Sequence, residues 1–164
     1  MGDLLLNPVG RLARFRFWQG MVLLTVITVL IVAAGALLNP FLVLLQIPAA
    51  YLYICVYGKR MHDIGTTAWW VLAIAVAAYV VSAIVVSLVG PFFIDAETFS
   101  MQAEVWERLQ AGDSNGAMDG VRLIGIRTLP VNIISAVACN AALGSVFGLL
   151  PTQVHDNKHG PAPV

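Results

Sequence analysis

Lys59, Arg60, His62 and Asp63 put four ionisable side chains within five residues. An imidazole titrates near neutral pH and a neighbouring carboxylate raises its pKa, so His62 beside Asp63 has the ingredients of a proton carrier or pH sensor. Adjacent residues do not face each other on a helix, however, and this pair meets only in a tight turn. The plainer chemistry is structural: Asp63 bonds Arg60 or caps the helix that follows, with Thr66 or Thr67 as alternative caps, while Trp69 and Trp70 sit at a membrane–water boundary. The structural reading is preferred.

Other groups with chemical potential lie further out. Arg11, Arg14 and Arg16 precede a long apolar run. Leu12, Phe15 and Trp18, three apart, suit one face of a short interfacial helix whose arginines meet anionic headgroups. A nucleic-acid arm is disfavoured, because no further basic tract follows. His155 and His159 could share a metal only on a helix, which Asn157 and Gly160-Pro161 oppose, and two imidazoles do not complete a site. Cys55 and Cys139 fall within apolar runs and read as small hydrophobes. Asn132, Ser135, Cys139 and Asn140 share a helix face, with Gly144 and Gly148 as a small-xxx-small step below them. Such side chains turn toward neighbouring helices in lipid, for packing or to line a solute path. No phosphate loop, nucleophile elbow or zinc signature is visible, so no catalytic, cofactor or metal residues are expected.

The elements that must position these groups follow from composition. Of 164 residues, 59% are hydrophobic and 11% charged, against about 25% charged in a soluble domain. Nine basic and nine acidic side chains balance to a net charge of +0, which removes any long-range attraction for nucleic acid. No Asp, Glu, Lys or Arg occurs between Arg16 and Lys59, between Asp63 and Asp95, or between Arg127 and Asp156. A hydrocarbon core about 30 Å thick takes about 20 apolar helical residues. The first gap is long enough for two crossings separated at Asn39-Pro40, and each of the others holds one. The predicted spans are 17–38, 41–57, 69–94 and 129–150, with Gln46 and Pro48 kinking or thinning the second. None of them contains an acidic or basic residue, which argues against an ion pump or proton relay.

Orientation follows from the basic residues. Arg11, Arg14 and Arg16 before the first span and Lys59 and Arg60 after the second put that side in the cytoplasm. Both termini are then inside and the segment 95–128 outside, although Arg122 and Arg127 next to the fourth span run against the rule. Within that segment 96–110 has the helical period, with Phe99, Met101, Val105, Trp106 and Leu109 on one side and Glu97, Ser100, Glu104, Glu107 and Arg108 on the other. This external amphipathic helix could lie on the leaflet, cover the bundle or dock a membrane protein partner. A cleavable signal peptide is disfavoured because the apolar run continues beyond Ala34-Gly35-Ala36. The expected architecture is an all-α integral membrane protein, a four-transmembrane-helix bundle over 1–154 with a cytoplasmic tail, 155–164, disordered from Gly160.

Three stretches carry a family resemblance: Gly10-Arg11-Leu12-Ala13-Arg14-Phe15-Arg16-Phe17-Trp18, then Lys59-Arg60-Met61-His62-Asp63-Ile64-Gly65 with Trp69-Trp70, and the ending Asn157-Lys158-His159-Gly160-Pro161-Ala162-Pro163. In this order they resemble domain-of-unknown-function family 805, small bacterial inner-membrane proteins with a Gly-Arg and Phe-Trp start and an Arg-x-His-Asp-Ile-Gly loop. Thr66-Thr67-Ala68 departs from the usual Arg-Ser-Gly of that family. The resemblance implies a multi-pass protein of the bacterial inner membrane and no assigned activity. By topology the three stretches converge on one cytoplasmic polar cap of Arg11, Arg14, Arg60, His62 and Asp63, and Asn132, Ser135 and Asn140 form a separate intramembrane polar face. The expected function is that of a non-catalytic adaptor or an assembly or regulatory component, with a small transporter or channel component as the alternative. The lipid bilayer, and a protein meeting helix 96–110, are the expected partners.

Overall fold

The computed structural model describes residues 2–161, with side chains from residue 4 onward; Ala162 and Pro163 of the family-like ending lie outside the described residues. Among the described residues the regular elements are all helices, and four of them are long and apolar enough to cross a membrane. They are α2 (Arg14–Leu37), α3 (Gln46–Ile64), α4 (Trp70–Val89) and α6 (Ser114–Leu149), with a short α1 (Gly2–Leu6) at the start and α5 (Ala96–Gln110) before α6.

The α2–α3 turn forms where expected. The Asn39 side chain accepts the Phe41 N–H at 2.9 Å, and Pro40 opens a 3-10 stretch that runs to Leu45. Pro48 does not kink the second crossing, because it falls in the first turn of α3, where an N–H would have no intrahelical partner. That crossing also continues past Tyr57: Lys59, Arg60, His62 and Asp63 occupy the last two turns of α3 rather than a loop. Gly65 ends the helix at φ 88°, and the Gly65 and Thr66 N–H groups return to His62 and Met61.

The fourth crossing starts earlier than its apolar run. The 36 residues of α6 extend about 54 Å at about 1.5 Å per residue, so its first turns, with Asp119, Arg122 and Arg127, reach beyond a core about 30 Å thick. Asp113 caps α6 through the Gly116 N–H and Asp95 caps α5 through Thr98. The Thr98 hydroxyl and N–H hold the Asp95 carboxyl below its usual range. The segment 95–128 is therefore a helical hairpin, with Val105 of α5 seated where a Cβ on Gly120 would stand. Val105 and Thr98 are buried, whereas Phe99 and Trp106 are 64% and 66% exposed.

α2 and α6 form the central contact. Trp18 lies against Gly148 so closely that a Cβ there would come within 2.7 Å of its ring, and Met21 and Trp18 meet Gly144. Gly144 and Gly148 thus seat α2 of the same chain. The core at this end gathers Phe17, Met21, Leu24, Val56, Tyr57 and Leu143. The N-terminal approach differs from a continuous interfacial helix: α2 begins at Arg14, Leu12 is buried in the core and Phe15 is 72% exposed, so Leu12 and Phe15 do not share a face.

Candidate functional site

Two places collect the polar residues. The first lies where the start of α2, the end of α3 and the end of α6 meet. Arg60 and Asp63, one turn apart on α3, are fully buried and pair at 2.6 Å from Nη1 to Oδ2. Arg11 reaches the other carboxylate oxygen, Oδ1, at 3.2 Å. A buried carboxylate is stable only with its charge matched and its lone pairs bonded, and both oxygens are engaged here.

The remaining donors of these arginines close the end of α6. A helix leaves its last four carbonyls without intrahelical partners. Arg60 Nε donates to the Phe147 carbonyl at 3.0 Å and Nη2 to that of Leu150, while Arg14 donates to Leu149 and Leu150 at 3.3 Å each. Arg14 therefore caps α6 and does not pair with Asp63. The Arg60 guanidinium also lies 5.7 Å from the centre of the Phe17 ring.

The tail after α6 folds back across this cluster. Arg60 Nη1 donates to Thr152 Oγ1 at 3.1 Å, Arg11 donates to the Gln153 and His155 carbonyls, and the Gln153 N–H donates to the Asp63 carbonyl at 3.1 Å. His62 points away from Asp63, as expected of neighbours on a helix. Its Nδ1 lies 3.2 Å from the Gly10 carbonyl and its ring stacks on His159, with centroids 3.9 Å apart and planes 6° apart. Asn157 donates to the His62 carbonyl at 3.0 Å. Partial burial, then the facing His62 ring, hold the His159 imidazole below its usual pKa. Its Nε2 and Arg11 Nε are buried with no hydrogen-bond partner. His155 and His159 do not lie on a helix, and Gly160 turns back to bond Asn157; the rest of the end expected to be disordered, 162–164, lies outside the described residues.

No protein-family model, curated protein or solved structure matches this chain. What it does must be argued from the two sites themselves.

The second site is a half-open cavity of about 820 Å³ lined by α2, the 3-10 stretch after it, α3, α4 and α6. Asn132, Ser135, Cys139 and Asn140 all line it, together with a stripe of α4 that is apolar except for Ser82. Ser135 and Asn140 are buried, whereas Asn132 is exposed and bonds Thr128 on its own helix at 3.2 Å. Asn140 is held from across the cavity: its Nδ2 donates to Tyr53 Oη at 2.8 Å, and Tyr53 Oη lies 2.9 Å from Thr28 Oγ1. Tyr57, one turn along α3, also lines the wall and has a buried hydroxyl with no partner.

Sequence reasoning missed Thr28, Tyr53 and Tyr57. Tyr53 and Tyr57 are spaced four apart in the span read as thin, and that spacing was the available signal for a polar stripe facing Asn140. Lys59 was also left out of the cap, yet it is 3% exposed and donates to the Leu4 carbonyl at 2.8 Å, fixing α1 to α3.

Proposed function

We propose that this chain is a non-catalytic small-solute carrier or channel component of the bacterial inner membrane, working through the cavity between its four long helices. Under this reading the four helices form one transmembrane bundle, both termini are cytoplasmic and the α5–α6 hairpin lies outside. The likeness of its three short stretches to domain-of-unknown-function family 805 supports the location.

The observation that carries the function is the cavity. At about 820 Å³ it falls within the range of about 300–1,000 Å³ common for small-molecule sites, and it has their usual make-up, apolar walls with a few convergent polar groups. The ionic cluster points away from catalysis, because Arg60, Arg14, Arg11 and Asp63 bond helix ends, each other and the tail. Organic extraction of the protein purified from native membranes tests the reading. A small lipid-soluble compound should accompany the native chain and be lost from Ala75→Phe, which fills the cavity from α4. Identical extracts from both would refute it. The adaptor reading is second, favoured by the exposed Phe99 and Trp106 of α5. Photocrosslinking from position 106 to one partner protein in native membranes would promote it.

A further inference from the structure

The lining of the cavity restricts what it can hold. Its walls carry no Asp, Glu, Lys, Arg or His, so an ion inside would find no counter-charge. The contribution of α4 runs from Val71 to Val86, about 22 Å of helix axis. That is most of a hydrocarbon core about 30 Å thick. The shape suits an extended chain lying along the bilayer normal better than a compact polar metabolite.

The polar atoms on the wall restrict it further. The Asn140 amide has two N–H bonds, one of which goes to Tyr53 Oη. Tyr57 is 2% exposed and its hydroxyl finds no acceptor. Buried polar groups in proteins are nearly always bonded, and one without a partner destabilises the fold. The second Asn140 N–H is a donor and the Tyr57 hydroxyl can donate as well as accept, so one uncharged acceptor oxygen would satisfy both. We propose that the cavity holds a neutral long-chain lipid whose carbonyl oxygen accepts from the Tyr57 hydroxyl and the Asn140 amide, its chain lying along α4. This rests on the binding reading above and names the ligand class. An isoprenoid quinone and an acylglycerol both present such a carbonyl.

The full-length protein, delipidated in detergent, is incubated with a radiolabelled short-chain isoprenoid quinone, dioctanoylglycerol or hexadecane, and retention is measured after gel filtration. At least one carbonyl probe should bind about tenfold more tightly than hexadecane, the equivalent of one hydrogen bond, and which one binds identifies the source. Tyr57→Phe should lose about tenfold for that probe while the ligand-free variant melts no lower than the native chain. If Tyr57→Phe does not accumulate, Asn140→Ala carries the same test. Carbonyl probes held no better than hexadecane, or undiminished by the substitution, overturn the proposal. The role of Ala75→Phe is to separate the two levels. If it abolishes retention while Tyr57→Phe has no effect, the cavity binds but carbonyl recognition is wrong. Unchanged retention in Ala75→Phe removes the cavity as the site.

Discussion

Asp63 receives a guanidinium on each oxygen, from Arg60 and from Arg11. Replacing one member of a buried ionic set leaves the others uncompensated, at a cost of about 3–5 kcal/mol. Asp63→Asn should therefore sharply lower the thermal midpoint and the membrane abundance of the chain. His62→Ala removes one stacked ring and one bond to Gly10, about 1 kcal/mol, and should shift the midpoint far less. Differential scanning fluorimetry on both variants checks the order. The His62–His159 stack adds a pH term. His159 is held below its usual value of 6.5 in the docked tail, so the released tail binds the proton first. Docking is unpenalised above that usual value and weakens as pH falls from it toward the depressed one. His62, Lys158 and Arg11 are the charged or titratable groups that contribute to this depression. The protection of the Gln153 amide from hydrogen exchange, relative to its intrinsic rate at each pH, should fall between pH 7 and pH 5, and His159→Phe, which keeps a stacked ring, should flatten that dependence. The Arg60–Asp63 pair was legible in the sequence only as one of two roles for Asp63, the other being a helix cap. The His62–His159 stack was not, because the two rings are brought together only by the return of the tail.

The helices show the same division between local and tertiary information. Their apolar centres were legible because charge is missing from them, and the Asn39-Pro40 turn because both residues favour chain reversal. Their ends were not. α3 runs seven residues beyond Tyr57 because its charged side chains find buried partners on α1, α2, α6 and the tail instead of water. α6 starts at Ser114 because Asp113 caps it and α5 covers Gly120, although the sequence there is polar. Gly148 is where the α2–α6 contact is tightest, since the Trp18 ring occupies the space a side chain would need. Gly148→Leu should cost about 1–3 kcal/mol by overpacking, lower the folded yield and leave the oligomeric state unchanged in size-exclusion chromatography with light scattering. A dimer that dissociates into a folded monomer on this substitution would assign the glycine step to contact between chains instead.

For the molecule as a whole, the distribution of arginines decides the proposed orientation, and the two that break the pattern have specific local partners. Arg127 lies 3.5 Å from Asp95 and 2.9 Å from Glu97, so the start of α5 balances its charge. Arg122 donates to the Leu37 carbonyl at 2.9 Å, at the end of α2, where a helix terminus carries partial negative charge. Neither is a free cation in a connecting loop, the kind of residue that sets orientation. At the opposite end Arg11, Arg14, Lys59 and Arg60 gather from two segments around the chain's return, and Trp69 and Trp70, which follow α3, stand exposed at 78% and 57%, as expected at a headgroup boundary. The proposed topology therefore puts that end in the cytoplasm and the α5–α6 hairpin across the membrane from it. In a background with Cys55 and Cys139 replaced by alanine, a cysteine at Ser114 should react with a membrane-impermeant maleimide in intact cells, and one at Thr152 only after permeabilisation. Neutralising two local cations is the sharper test. If Arg122 and Arg127 bond helix ends and acids rather than hold the hairpin inside, Arg122→Gln with Arg127→Gln should leave the labelling at Ser114 unchanged and lower only thermal stability. A labelling pattern that changes sides in this variant would show that the hairpin arginines do set orientation, and the local-partner account of them would fail.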